Sequence, residues 1–396
     1  MAKRIFIVAN FCGQLNGNDN NRFVYLASLL SSKYDCCVEL ITSSFIHEKK
    51  EKRTLNEMYP FKITIIDEPP YKKNVSVKRL ISHYKWGDRV YRYLKNSSVM
   101  PDVIYCAVPS LTAPHKISKF CKKNKIKFII DIQDLWPQAF KIALNIPIIS
   151  NLVFLPIELY ANHIYRNADT ICGVSETYVK KGLEKNKKGA KGCAVYLGTE
   201  LVVFDNSLKC EPSFIRQKSD ICLCYCGTLG ASYDLKCVFE AMKIVNDDRL
   251  RLIVMGDGPK KTVFEKMADL YKIRVDFLGR LPYKTMCRNL VECDITVNPI
   301  VERSVATIIN KHADYAAAGL PVLNTQANKE YVDLIDIYGM GMSSRPGDSE
   351  ELAKNILLLI NNEKMRQDMG SKSRLCAVER FDRAKTYKAL VEAILA

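Results

Sequence analysis

The chain has 396 residues, of which 48% are hydrophobic and 26% are charged, and its formal net charge is +16. This length exceeds the size at which one hydrophobic core stops growing, so we expect two domains of roughly 200 residues, and the composition excludes a mainly disordered chain. The first apolar run is too short for a secretory signal, and no window of about 18 uninterrupted apolar residues exists, so no spanning helix is expected.

The positive charge is concentrated in one half of the chain. Residues 1–195 contain 31 Lys and Arg against 16 Asp and Glu, whereas residues 196–396 contain 28 against 27. The basic half would be attracted to a polyanion or to an anionic membrane surface, unless the charge only keeps the protein soluble. The 15 cysteines are scattered through apolar runs without a paired Cys-x-x-Cys set, which favours buried thiols in a reducing cytoplasm and no metal site.

Short β-branched runs alternate with longer amphipathic segments, a pattern typical of doubly wound α/β domains. We predict one Rossmann-like domain over residues 1–197, a linker over 198–220 and a second Rossmann-like domain over 221–396, whose last helical stretch is long enough to reach back to the first. Ligands of two such domains facing each other bind at the carboxyl ends of the strands. The predicted strands are residues 5–9, 37–41, 63–66, 103–106, 128–131, 170–173, 193–196, 221–226, 250–255, 274–278, 295–298 and 321–324.

The first strand runs into a loop that contains Gly13 and Gly17, before a helix predicted to begin near Asn20. Glycines let the backbone approach a ligand closely, and the helix N-terminus offers amide donors to an anion. The alternative is an ordinary tight connection between strand and helix.

A basic amphipathic helix is predicted over residues 76–96, with Trp86 in its centre. Such a helix can lie at a membrane interface, or it can simply cover the sheet. Its apolar positions are Val77, Leu80, Ile81, Tyr84, Tyr91 and Leu94, and its basic ones are Lys78, Arg79, Lys85, Arg89, Arg92 and Lys95.

The strand at 128–131 ends in a segment with two carboxylates and an indole, Asp131, Asp134 and Trp136. Because burying an unpaired carboxylate is costly, such groups belong at a ligand-binding edge. Asp134 could orient or deprotonate an acceptor hydroxyl, and Trp136 could stack on a sugar or lipid-linked glycan. The alternative is a structural corner.

In the second half, glycine turns follow three successive strands. Gly227, Thr228 and Gly230 form the first turn, Gly256 lies in the second, and Arg280 follows the third. The first turn is suited to cradle a phosphate, although it lacks the Lys-Ser or Lys-Thr of a Walker motif.

A small-residue helix is predicted to begin at Asn310 and to end at Gly319. Lys311 and Asp314 lie three residues apart and therefore share one face at its start. A cation for a diphosphate and a carboxylate for ribose hydroxyls are the groups that a bound nucleotide needs there, unless the two form a surface ion pair.

With these segments in place, the chain resembles the family 4 retaining glycosyltransferases, particularly the bacterial capsular and O-antigen polysaccharide members. The resemblance covers nearly the whole chain and is most specific over residues 131–137, 226–235 and 310–322. It implies the GT-B architecture, with an N-terminal acceptor-binding domain, a C-terminal domain that binds the nucleotide sugar, and front-face attack with retention. It also implies that the 13–17 loop closes over the donor and that the donor is surrounded by Thr228, Gly230, Arg280, Lys311 and Asp314.

The chain departs from this family at two places. The family often has two glutamates separated by seven residues, but Ala306 and Asp314 occupy these positions, and Glu302 lies four residues before the first. The usual Arg and Lys of the first C-domain loop are replaced by Thr228 and Tyr233. Phosphate neutralisation is therefore assigned to Lys311 and Arg280. No Asp-x-Asp motif is present, so neither a metal nor any other cofactor is expected.

The sequence thus predicts a nucleotide-sugar donor, a glycan or polyprenyl-linked acceptor, and peripheral attachment at the inner face of the cytoplasmic membrane. A sugar-nucleotide 2-epimerase of the same fold is an alternative enzyme. A non-catalytic polyanion binder is less consistent with the C-terminal glycine turns, and nucleic acid is not expected as a partner because the aromatic residues are not interleaved with the basic ones.

Overall fold

A computed structural model describes residues 2–15, 20–54, 57–74, 76–138 and 147–396, with the backbone alone over 147–153. The chain divides into two compact units, one formed by Met1–Tyr196 with Tyr387–Ala396 and the other by Leu197–Thr386. The segment 198–220 is part of the second unit and contains a helix, Leu201–Ser207, where the sequence suggested only a linker.

The first unit is built on a parallel sheet whose strand order is β5-β2-β1-β6-β7-β8-β9, beside a short antiparallel pair of β3 and β4. These strands are rich in β-branched residues, and β1 and β6 are buried on both faces because helices cover the sheet. The strands are β1 Arg4–Ala9, β2 Cys37–Ser43, β3 Phe45–Ile46, β4 Glu51–Lys52, β5 Lys62–Ile66, β6 Val103–Val108, β7 Lys127–Ile132, β8 Thr170–Gly173 and β9 Lys191–Ala194.

Polar caps define where three helices of this unit begin. Asn21 caps the first helix with its side chain, and Ser76 and Ser175 do the same for two others, satisfying amide groups that have no partner within the helix. The helices are α1 Arg22–Lys33, α2 Val77–Asn96, α3 Thr112–Asn124, α4 Pro147–Asn167 and α5 Glu176–Lys185.

A buried ion pair lies in the first unit. Arg22 donates from Nε and Nη2 to the two carboxylate oxygens of Asp131, at 3.0 and 3.1 Å, and Asp131 is fully buried. The expectation that this carboxylate lies at a ligand-binding edge is therefore wrong, since an arginine from α1 neutralises it in the core. Tyr387, Leu390 and Val391 from the C-terminal helix pack into the same core.

Helix α2 has two apolar faces. Trp86, Val90 and Leu94 are at most 1% exposed and pack inward. The indole of Trp86 therefore anchors the helix to the protein and is not available to a membrane interface, contrary to the role that the sequence suggested for this side chain. Arg79 is also buried, at 8% exposure. Among the described helices, none combines the length and the apolarity needed to cross a bilayer.

The second unit contains a six-stranded parallel sheet of order β12-β11-β10-β13-β14-β15. The sequence predicted β10, the two strands on each side of it, and no further strand. The short β15 was not predicted because its three residues carry no alternation of apolar and polar side chains. The strands are β10 Ile221–Cys226, β11 Leu250–Met255, β12 Val275–Gly279, β13 Ile295–Asn298, β14 Val322–Asn324 and β15 Gly341–Ser343.

The C-terminal region is divided where the sequence suggested one helical stretch. Asn362 caps a new helix after Ile360, and a π-helical turn over Ala377–Phe381 precedes the last helix. The helices of the second unit, including the one that ends in the first unit, are α6 Leu201–Ser207, α7 Leu235–Val245, α8 Lys261–Tyr271, α9 Tyr283–Val291, α10 Asn310–Ala317, α11 Lys329–Tyr338, α12 Ser349–Ile360, α13 Glu363–Cys376 and α14 Arg383–Leu395.

Candidate functional site

The strand order of the second unit reverses between β10 and β13, which pair with each other in parallel. At such a reversal the loops that follow the two strands leave in opposite directions, so a crevice opens at their carboxyl ends. The turn after β10 and the loop that leads from β13 to α10 meet at this point, because Asp234 N donates to Pro299 O at 2.9 Å.

The turn after β10 is held by the turn after β11. Gly227 N donates to Met255 O at 3.0 Å, and Leu229 N donates to Asp257 O at 2.9 Å. A Cβ atom on Gly256 would lie 1.8 Å from Gly227 O. The sequence assigned Gly256 to the donor site. In the structure, the absence of a side chain at Gly256 allows the turns after β10 and β11 to pack against each other.

Lys311, on α10, points towards the turn after β10. It is 7% exposed, its Nζ lies 4.2 Å from the ring centroids of both Tyr225 and Tyr233, and a Cβ on Gly227 would be 3.5 Å from that Nζ. This Nζ has no hydrogen-bond partner among the residues that the structure describes. Burial lowers the pKa of Lys311 to about 7. An amine buried without an acceptor is costly, so the site is suited to an anion that enters from outside the protein.

Asp314 lies one turn further along α10 and contacts a different element. Its Oδ1 accepts a hydrogen bond of 2.8 Å from the hydroxyl of Tyr283, at the start of α9. Burial raises the pKa of Asp314 to about 6, while the hydrogen bond from Tyr283 acts in the opposite direction. Lys311 and Asp314 are thus both buried on α10. Tyrosine side chains contact each of them, and the sequence did not predict these contacts.

Four of the predicted donor-site residues are exposed. One of them is Thr228, in the turn after β10, whereas Gly230 in the same turn is partly buried. The side chains of Arg280, Glu302 and Asn310 are also exposed, so they are available to a ligand but are not held in place by burial.

A network of buried amides fixes the loop that precedes α10. Asn298, at the end of β13, donates to Asn324 Oδ1 at 2.9 Å and to Gln326 Oε1 at 3.0 Å. Gln326 Nε2 in turn donates to the carbonyl oxygens of Ala306 and Thr307, both at 2.7 Å. This network was not predicted from the sequence, although asparagines at the ends of two neighbouring strands are a signal that could have indicated it.

In the first unit, the loop after β1 turns at Gly13, whose φ of +57° favours glycine. Asn21 supports this loop by donating to Gln14 O at 2.9 Å. The helix behind it begins at Arg22, after the Asn21 cap, close to the predicted start. Gly17 lies outside the described residues.

Asp134 and Trp136 lie after β7 and contact each other, since Trp136 Nε1 donates to Asp134 Oδ2 at 3.2 Å. Trp136 is 5% exposed, its ring stacks on His83, and the Arg79 guanidinium lies 4.8 Å from its centroid. The indole is thus covered by side chains from α2 and does not form the open stacking platform that the sequence suggested. Asp134 is partly buried, and burial raises its pKa.

Residues 211–376 match the family described as glycosyl transferases group 1. No curated protein matches the chain significantly. Among solved structures, HepE from Anabaena in complex with UDP is 15% identical and aligns over 99% of both chains with a TM-score of 0.71.

Two further solved structures have comparable similarity. WaaG, a glycosyltransferase involved in lipopolysaccharide biosynthesis, is 15% identical over 98% of this chain and 99% of its own, with a TM-score of 0.67. A protein from Listeria monocytogenes named as a UDP-N-acetylglucosamine 2-epimerase is 12% identical over 99% of this chain and 95% of its own, with a TM-score of 0.63. The chain therefore has the GT-B fold, and its residues 211–376 are similar to the glycosyl transferases group 1 family.

Proposed function

We propose that this protein is a retaining, metal-independent glycosyltransferase that moves a hexose-type sugar from a nucleotide-sugar donor to a glycan acceptor. The observation that carries the proposal is the buried, unpartnered Nζ of Lys311 beside the turn after β10, within the described residues. A diphosphate placed there would supply the negative charge that this amine lacks. The group 1 match over residues 211–376 and the UDP bound to HepE support a nucleotide sugar as the source of that diphosphate.

In this reaction the bond between the anomeric carbon and the diphosphate oxygen breaks, and the acceptor oxygen attacks from the same face. Lys311 and the backbone amides around Gly227 would stabilise the charge that develops on the departing diphosphate, and the N-terminus of α10 adds its dipole. The exposed Arg280 could join them. Asp134, whose raised pKa makes it a better base, would accept the proton of the acceptor hydroxyl. Asp314 would bind the ribose hydroxyls.

Donor binding can be measured directly. We expect one of UDP-glucose, GDP-mannose, ADP-glucose and dTDP-glucose to raise the melting temperature, with or without EDTA, because a ligand at about 100 times its Kd adds roughly 2.7 kcal/mol of stability. The matched control is the same nucleoside without phosphates, which lacks the group that Lys311 binds. The proposal fails if no nucleoside diphosphate stabilises the protein, and its metal independence fails if EDTA abolishes the effect.

The same fold occurs in the Listeria protein named as a 2-epimerase, so the reaction needs its own test. Transfer requires an acceptor, whereas epimerisation does not. Conversion of the donor to an epimer in the absence of acceptor would favour the alternative enzyme. Binding of a nucleic acid or another polyanion without any binding of nucleotide sugars would favour the non-catalytic alternative.

A lipid-linked acceptor and an anionic membrane surface are consistent with an exposed apolar stripe on α2. Val77, Leu80, Ile81 and Tyr84 are 71%, 46%, 48% and 55% exposed, and their spacing places them on one face of the helix. Lys78 and Lys85 flank this stripe and are exposed. Apolar residues surrounded by lysines match the chemistry of an anionic bilayer, where each basic residue contributes about 1 kcal/mol.

We expect the protein to sediment with vesicles of phosphatidylglycerol and not with vesicles of phosphatidylcholine, and salt should weaken the binding. The double variant Leu80→Ser/Ile81→Ser should reduce binding at least about tenfold, because burying each aliphatic side chain contributes roughly 1.5 to 3 kcal/mol. Leu270→Ser is the matched control, since Leu270 is 76% exposed on the second unit. Wild-type binding that is absent at low salt would contradict the membrane proposal and leave the donor proposal intact.

A further inference from the structure

Tyr283 connects the predicted ribose-binding carboxylate to a segment far from it in sequence. Its hydroxyl donates to Asp314 Oδ1 at 2.8 Å and lies 2.6 Å from Thr199 Oγ1. A phenol has one proton to donate. When Tyr283 gives that proton to the carboxylate, Thr199 must be the donor in the second hydrogen bond. The three side chains are thus linked by hydrogen bonds around the carboxylate.

Thr199 lies where the chain passes between the two compact units. The second unit begins at Leu197 and ends at Thr386. Within that unit the entering and leaving segments are hydrogen-bonded to each other, because Thr199 N donates to Phe381 O at 2.8 Å and Arg383 N donates to Thr199 O at 3.1 Å. Arg383 Nη2 also donates to Gly198 O at 3.1 Å. The backbone that carries Thr199 is thus fixed from two directions.

Three groups from outside α10 act on the Asp314 carboxylate. Burial raises its pKa to about 6, and the Tyr283 hydrogen bond, the positive charge of Arg383 and a contact with Thr199 lower it. Cys287 lies one turn after Tyr283 on α9; burial raises the pKa of its thiol, and the negative charge of Asp314 adds to this effect. Lys311 lies on the same helix as Asp314 and against Tyr225 and Tyr233.

We propose that Tyr283 is a positioning residue for the donor site, which holds the Asp314 carboxylate in its ligand-binding orientation and ties it to Thr199 at the chain crossing. The inference rests on the proposed function, since it assumes that Asp314 accepts hydrogen bonds from the nucleoside. It assigns Tyr283 no contact with the reacting atoms. Without the phenol, the carboxylate loses the donor that orients it and that favours its ionised form.

The test compares wild-type protein with Tyr283→Phe by isothermal titration calorimetry between pH 5 and pH 8. The titrant is whichever of UDP, GDP, ADP and dTDP stabilises the wild type most. Below pH 7 the Lys311 amine is charged in the wild type and in the variants alike. We therefore expect wild-type affinity to fall as the pH drops through about 6, because protonation removes the Asp314 carboxylate as an acceptor. In Tyr283→Phe we expect affinity at pH 7 to be three- to tenfold weaker, and the midpoint of the acid limb to lie at a higher pH.

Two further variants separate positioning from a general loss of structure. Thr199→Val should move the acid limb in the same direction, and Thr199→Ser, which keeps the hydroxyl, should restore the wild-type profile. Tyr271→Phe is the matched control, because its phenol contacts Glu240 on a different part of the same unit and should leave the profile unchanged.

The two possible failures are distinguishable. Wild-type protein that binds none of the four nucleoside diphosphates contradicts the proposed function. Wild-type binding with an unchanged affinity and acid limb in both Tyr283→Phe and Thr199→Val overturns the inference on Tyr283 alone.

Discussion

Replacing Lys311 by methionine should lower turnover at least about tenfold and, at the same time, stabilise the folded protein. The amine would no longer balance the departing diphosphate, and removal of one preorganised charge-stabilising group typically costs about 3 to 4 kcal/mol in the transition state. Methionine has a similar length and no charge, so it can lie between the Tyr225 and Tyr233 rings without a desolvation penalty. The measurements are the initial rate at saturating donor and the free energy of unfolding in urea.

The gain in stability should depend on pH in a defined direction. The pKa of Lys311 is lowered from its ordinary value of 10.5 to about 7 in the folded protein. Below pH 7 both the folded and the unfolded wild type carry the proton, so the cost of burying the charge is fully present there. Between pH 7 and 10.5 the folded protein has lost the proton that the unfolded chain still carries, so the cost falls steadily as the pH rises and disappears near pH 10.5. The advantage of Lys311→Met should therefore be largest at or below pH 7, on the order of 5 kcal/mol, and shrink towards pH 10.

Lys354→Met is the matched control, because Lys354 is exposed on α12 of the same unit. We expect it to change neither turnover nor stability. A Lys311→Met enzyme with wild-type rates at saturating donor would remove Lys311 from the site. If Lys311→Met is inactive but less stable than the wild type at pH 6, burial of the charged Lys311 amine does not lower the stability of the folded protein.

Replacing Gly256 by alanine should destabilise the second unit by at least about 2 kcal/mol and weaken donor binding. The added Cβ would lie 1.8 Å from Gly227 O and 2.8 Å from Gly227 C, so backbone and not a flexible side chain must move. That movement would break the hydrogen bond from Gly227 N to Met255 O and displace the turn that lies beside Lys311. Urea unfolding and nucleoside diphosphate titration measure the two effects.

Gly230→Ala provides the matched control for stability, since it lies in the same turn and its Cβ would come no closer than 3.6 Å to Thr228 Cγ2. We expect its unfolding free energy to remain within about 0.5 kcal/mol of the wild type. Equal stability of the two variants would show that the contact between the turns after β10 and β11 is not required, and that Gly256 is free for the direct ligand contact that the sequence suggested.

The strand pattern of both units was predictable from the sequence, because parallel strands buried on both faces are mostly apolar runs such as those of β1, β7 and β11. Three strands of two or three residues were not predictable, because they are too short to show a pattern. The two-residue strands β3 and β4 and the short β15 depend on neighbours that come from elsewhere in the chain. The division of the C-terminal region into separate helices likewise follows from caps such as Asn362, which only local geometry identifies.

The chemical types of the candidate site were also predictable. Lys311 and Asp314 stand at the start of a small-residue helix, and the glycine turn after β10 is visible in the sequence. The partners of these residues were not visible, since Tyr225, Tyr283 and Gln326 come from three other elements and reach α10 or its preceding loop only through the packing of the sheet.

By itself the sequence determined which segments are buried strands, where glycine allows the backbone to turn, and which charged residues are available. The tertiary structure decided what each charge faces. Asp131 and Trp86 have the same local character as many ligand-binding or interfacial residues, yet Arg22 neutralises the first and the core encloses the second. Lys311 is buried without such a partner among the described residues. Whether a polar side chain is satisfied depends on atoms brought together from distant parts of the chain, and for that reason only the folded molecule distinguishes a structural charge from one that is left for a ligand.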